Sequence, residues 1–124
     1  MKGTTTLFRP VGRRELELIR KSGYRVFPPR LPEQPYFYPV ANLEYATQIA
    51  RDWNTKDDAS EFVGYVLQFE IDEEFLKAYP IRQVGDASHR EYWIPAADVD
   101  RFNQHITGTI RVVAEFHGED ASKQ

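Results

Sequence analysis

The chain has 124 residues, 41% of them apolar and 14% aromatic, no cysteine, and a formal net charge of −3. That length suits one domain of ~100–150 residues with a packed core, which excludes a two-domain chain and confines disorder to the ends. The missing cysteines remove disulfide scaffolds, thiolate metal sites and cysteine nucleophiles, and the three histidines, His89, His105 and His117, lack the spacing of a histidine zinc site.

Taken in chain order, Thr4–Phe8 has the β-branched and aromatic content of a short strand, closed by Pro10 and Gly12, with Arg9 at its end. From Arg13 to Lys21, Leu16 and Ile19 fit an amphipathic helix that Ser22-Gly23 stops. Tyr24–Phe27 reads as a second short strand, and Pro28, Pro29, Pro32 and Pro35 then force a stiff, irregular connection to Tyr36–Tyr38. Asn42 is a good N-cap for a helix through Trp53, with Ala46, Ile49, Ala50 and Trp53 on one face.

Asn54–Ser60 is polar and reads as a loop. In Glu61–Ile71, the residues Val63, Tyr65, Leu67, Phe69 and Ile71 alternate as one side of a long half-buried strand. Asp72 can cap a short helix through Tyr79, and Ile81–Val84 is a strand before a turn at Gly85-Asp86. Glu91–Ile94 follows as a strand. Val99, Phe102 and Ile106 mark a helix opened by Pro95 and stopped near Gly108, and Thr109–Phe116 closes the fold as a strand. The domain spans residues 1–117, with 118–124 expected to be a disordered tail. Strands and helices mix without a βαβ rhythm, so the expected fold class is α+β with mostly antiparallel strands.

Neither G-x-G-x-x-G nor G-x-x-x-x-G-K-[ST] occurs, so a nucleotide would have to be held without a Rossmann fingerprint or a P-loop. No apolar run approaches the ~20 residues of a membrane span, and Met1–Thr6 has no apolar segment after its lysine; the reading is a cytoplasmic protein without a signal peptide. The charge is unevenly spread. Residues 1–30 hold eight Lys or Arg against Glu15 and Glu17, a local balance of +6, while the remainder sums to −9. A basic end can be a solvated face, or it can line a pocket for a phosphorylated small molecule, since arginine forks match phosphate oxygens. The overall charge gives no general attraction to nucleic acid.

Arg9 stands where a side chain can leave the sheet edge toward a cleft; the plainer reading is a rim arginine. Pro35-Tyr36-Phe37-Tyr38-Pro39 packs three aromatics between prolines, and alternation sends Phe37 to the side opposite Tyr36 and Tyr38. Such faces serve core packing or stack on planar heterocycles. Glu91, followed by Tyr92 and Trp93, suits stabilisation of a developing oxocarbenium charge, or else a salt bridge to Arg90. His89 reads as a surface or supporting histidine, Asp57-Asp58 as a solvated loop pair, and Trp53-Asn54 as the anchor of a helix end.

The order of strand with Arg9, helix Arg13–Gly23, aromatic segment Tyr36–Tyr38 leading into helix Asn42–Trp53, and Glu91-Tyr92-Trp93-Ile94-Pro95 resembles the ADP-ribosyltransferase superfold. The whole chain is also similar to a family of small bacterial proteins labelled "ADP-ribosylation/crystallin J1", above all in RVFPPRLPEQPYFYPV, YATQIARDWNTKD and EYWIP. The resemblance implies an ADP-ribosyltransferase-like split β core with flanking helices and NAD as substrate, without a metal. It places Arg9 on the NAD phosphates or ribose, Tyr38 or Tyr36 against the nicotinamide, and Glu91 as the catalytic carboxylate at the nicotinamide ribose. Pro39 stands where many transferases have a Ser or Thr motif, and His89 where arginine-modifying toxins have Glu or Gln, so arginine gains no support as acceptor. The expected activity is transfer of ADP-ribose to an unidentified acceptor, nucleic acid remaining open, or hydrolysis of NAD. The alternative is a non-catalytic module of the same fold that binds a nucleotide, ADP-ribose or a protein.

Overall fold

The computed structural model describes residues 3–85 and 89–118. They form an α+β fold in which every named strand pairing is antiparallel. The Asp86 half of the expected turn, and the expected tail beyond Gly118, lie outside the described residues. Gly118 itself donates its N–H to the Phe62 carbonyl at 2.8 Å.

Strand β1 runs from Thr4 to Val11, three residues beyond the expected end at Phe8, so Arg9 sits inside the strand. Pro10 does not stop it. Phe8 turns its N–H and carbonyl outward to Val40, at 3.0 and 2.8 Å, and Pro10, two residues on, has its nitrogen on that same outer edge. No ladder bond to the inner neighbour is lost there, which is the place a sheet tolerates proline. Helix α1, Arg13–Lys21, buries Ile19 and ends as expected. Gly23 and Tyr24 follow with φ of +79° and +60°.

The expected strand over Tyr24–Phe27 does not form. Its backbone groups find partners other than a ladder: the Ser22 hydroxyl accepts from the N–H groups of Arg25 and Val26, and the Asn103 amide bonds both the N–H and the carbonyl of Phe27 at 2.9 Å. The segment is held by Phe27, whose ring lies 4.9 Å from Phe37 and 5.0 Å from Phe69. After the irregular proline stretch come β2, Tyr36–Phe37, and α2, Leu43–Asp52, capped by Asn42 Oδ1 accepting from the Tyr45 N–H at 2.7 Å. Two single 3₁₀ turns, Asn54–Lys56 and Asp58–Ser60, fill the expected loop.

Strand β3, Val63–Asp72, is the centre of the sheet, between β1 and the final strand β7, Ile106–His117. Every residue from Val63 to Leu67 is buried, so this half of the strand is covered on both faces rather than one. The second cover is α2: a Cβ on Gly64 would come within 2.2 Å of the Ala50 carbonyl oxygen, and Ala46, Ala50, Val40 and Val66 form their own apolar cluster there. The opposite face holds the main core, including Leu7, Phe27, Phe37, Leu67, Phe69 and Phe102. In chain order β3 is followed by α3, Glu73–Leu76, capped by Asp72 as expected but ending three residues before Tyr79, then β4, Ile81–Gln83, and β5, Arg90–Tyr92. The expected strand Glu91–Ile94 is broken at Trp93 into β5 and β6, Ile94–Pro95, so Glu91 lies mid-strand. Helix α4, Val99–Gln104, buries Val99 and Phe102, and β7 starts at Ile106, earlier than expected.

Val40 links β1 to β5. It bridges Phe8 on β1 and Glu91 on β5, which lines up β7, β3, β1, Val40, β5 and β4 side by side. Tyr36 opposite Pro95, Phe37 opposite Ile94 and Val40 opposite Glu91 share a single register. Beyond Phe8, no described residue bridges to the outer edge of β1.

Candidate functional site

Where that edge is left open, the structure has a cleft of about 790 Å³, within the ~300–1,000 Å³ typical of small-molecule sites. Its floor is the end of β1 from Arg9 to Val11, with Gly12 and Val40. One wall is α1 with Pro28–Leu31, and the other is the C-terminal half of α2 with the 3₁₀ turns; Tyr38 and Glu91 stand at one side. Arg9, Tyr38 and Glu91, drawn from three separate segments, therefore line the same cleft. Tyr36 is not among the lining residues; it packs its ring against Tyr38 and Trp93 at 6.2 and 5.5 Å.

Arg9 is buried, at 9% exposure, and is no rim arginine. Alternation along β1 turns it to the face of Leu7 and Val11, where its guanidinium lies 4.6 Å from the centre of the Phe37 ring. Its Nε and Nη2 make a two-pronged ion pair with Glu15 of α1, at 2.6 and 2.9 Å. A guanidinium has five N–H donors, so this pairing leaves donor capacity over. Arg30 approaches the same ring at 5.9 Å and donates Nε–H to the Tyr36 carbonyl at 2.9 Å. Burial, and then the neighbouring Arg9 cation, lower the pKa of Arg30 from its usual value. Two guanidinium groups at one ring, with N–H donors beyond those given to Glu15 and Tyr36, suit an anion.

Glu91 is fixed at both oxygens. The Trp93 indole N–H donates to Oε1 at 2.8 Å, and the Tyr45 hydroxyl donates to Oε2 at 3.3 Å. Trp93 reaches it because residues two apart on an extended segment share a face; Tyr45 reaches it from the first turn of α2. The Tyr45 hydroxyl is pushed to higher pKa by burial first and by the Glu91 charge second, so it stays a donor at neutral pH. His89 stacks on Tyr45, rings 4.3 Å apart at 12°, and places Nε2 3.2 Å from Gln48, a supporting position. Glu91 finds neutral donors here, not Arg90. Tyr38 meets Trp93 edge to face at 5.7 Å, which ties the aromatic segment to the carboxylate.

The far wall holds what sequence reasoning missed. Trp53, expected to anchor a helix end, is 60% exposed and lines the cleft. Asp57, expected to be a solvated loop residue, accepts from the Ser60 hydroxyl at 2.6 Å, and Ser60 in turn accepts from Asn54 Nδ2 at 2.9 Å. All three line the cleft. The i, i+4 spacing of Tyr45, Ile49 and Trp53 was a signal for a second stripe on α2. Burial of Asn54 and Ser60, with Asp57 half-buried beside them, has no counterpart in composition. Among the described residues, no group of three or more His, Asp or Glu is placed to hold a metal ion, and no helix is long and apolar enough to cross a membrane.

Comparison with protein-family models, with curated proteins and with solved structures finds no match for the chain. What defines the molecule is an α+β fold with a cleft at an open sheet edge, arginines on its floor and a clamped carboxylate at its side.

Proposed function

We propose that the cleft binds NAD and that the protein breaks the bond between nicotinamide and ribose, transferring ADP-ribose or hydrolysing NAD. The observation that carries this reading is the convergence of Arg9, Tyr38 and Glu91 on one cleft of dinucleotide size. When the C1′–N bond breaks, its electron pair leaves with neutral nicotinamide and positive charge develops on the ribose. A carboxylate whose oxygens are already oriented stabilises that charge without reorganising. Glu91, held by Trp93 and Tyr45, has that role; water or an acceptor hydroxyl then adds to C1′ and its proton goes to solvent. Tyr38 offers an aromatic face to the nicotinamide, and Arg9 with Arg30 takes the pyrophosphate. The ADP-ribosyltransferase-like split of the sheet belongs to the same proposal, its opening lying beyond the Phe8–Val40 bridge. A chain without cysteine that uses NAD fits the cytoplasm.

Glu15 occupies part of Arg9, which favours as second reading a module that binds a nucleotide or ADP-ribose without chemistry. Nicotinamide release separates the two. The wild-type protein should release nicotinamide from NAD, and Glu91→Gln should lower the rate by about 10²-fold or more while leaving melting temperature and NAD affinity unchanged. Full turnover in Glu91→Gln would overturn the role of Glu91. Stabilisation by ADP-ribose with no release by the wild-type protein would leave the binding module.

A further inference from the structure

The α2 wall carries, at the end remote from Glu91, two features that the cleavage chemistry does not use. Trp53 lines the cleft and is 60% exposed, although an indole is among the costliest surfaces to leave in water. The next residue, Asn54, is buried at 4% exposure, and its Oδ1 has no hydrogen-bond partner. The amide orientation follows from its neighbours. Ser60 gives its proton to Asp57 and so must accept from Nδ2, which leaves the acceptor oxygen as the unpaired atom. That oxygen is closed to solvent in the free protein, so a ligand N–H meets it only as the Asn54 turn opens toward the cleft, and relief of a buried acceptor without a donor favours that opening.

The helix sets the distance between this pair and the carboxylate. Tyr45 touches Glu91 and Trp53 lies eight residues further along α2, so the two ends are separated by ~12 Å of helix rise. Two riboses joined by a pyrophosphate bridge that kind of span. Leu18, on α1, lines the same cleft and is itself exposed, adding an apolar edge.

We infer that Trp53 and Asn54 form a base subsite for an adenine nucleotide, the indole stacking on the purine and Asn54 Oδ1 accepting a hydrogen bond from the exocyclic amino group. The inference rests on the reading of the cleft as a nucleotide site and names the group that occupies its second end.

The test uses the full chain with AMP, which has neither nicotinamide nor the scissile bond, and with purine riboside 5′-monophosphate, which lacks only the amino group. AMP should bind the wild-type protein. Trp53→Ala should weaken AMP about tenfold or more, as expected for a lost base stack, with no fall in the melting temperature of the free protein because the side chain is exposed. Purine riboside monophosphate should bind the wild-type protein about tenfold more weakly than AMP. Absence of AMP binding, equal affinity in Trp53→Ala, or equal affinity for the two nucleotides would each overturn the subsite. The nucleotide pair needs no variant, so the test holds even where a substitution disturbs folding. Normal AMP binding without nicotinamide release would instead count against Glu91 and leave the base subsite standing.

Discussion

Glu15 shows how a single side chain can serve both stability and the site. It neutralises a guanidinium that β1 drives into the interior, and it does so from α1, a separate element. Without it, Arg9 would be a buried cation with only the Phe37 face and a repelling Arg30 nearby. Breaking a buried pair by removing one partner typically costs ~3–5 kcal/mol. Glu15 keeps 22% of its side chain exposed, so Glu15→Ala should cost about 3 kcal/mol, at the low end of that range. A urea titration that finds the same midpoint in the variant would show that Arg9 does not depend on this pairing. Glu91 stands in a different relation to its neighbours: the indole and phenol donors orient it without cancelling its charge. That contrast separates the two carboxylates into one that balances the floor of the cleft and one available to a ligand.

At the scale of elements, the cleft depends on how closely α2 lies on β3. Gly64 allows that approach; the conflict at this position is one of space, a Cβ standing 2.2 Å from the Ala50 oxygen and 2.7 Å from its carbon. Gly64→Ala should therefore push α2 off the sheet and cost at least ~1–3 kcal/mol, seen as a lower melting temperature. An unchanged melting temperature would mean that the helix shifts freely. The two helices with strong amphipathic patterns, α1 and α2, were legible in the sequence nearly to the residue, because capping and 3.6-residue spacing are local signals. The strands were less so. β1 passes through Pro10 because it lies on an outer edge, and β3 is covered twice because it is central; neither fact exists until the strands are ordered. Tyr24–Phe27 has strand composition, yet Ser22 and an asparagine 76 residues from Phe27 supply hydrogen bonds that a ladder would have made. The same logic applies to the site. Arg9, Tyr38 and Glu91 stood out as residue types in suggestive contexts, whereas Trp53, Asn54 and Arg30 acquire meaning only through a cleft wall, and Tyr45 only through its contact with Glu91.

For the whole molecule, Val40 holds the sheet together across the middle and leaves its edge open beyond Phe8. The opening faces α1 and the proline segment on one side and α2 on the other, so a ligand in it would touch nearly every part of the fold that sequence and structure single out. The proposal assigns an order along that opening: clamped carboxylate, arginine floor, exposed indole. A crystal structure of the protein with ADP-ribose tests this most directly. The expected density has the terminal ribose beside Glu91, the pyrophosphate at Arg9 and Arg30, and the adenine against Trp53. ADP-ribose bound elsewhere on the surface, or a cleft that stays empty at saturating ligand, would contradict it.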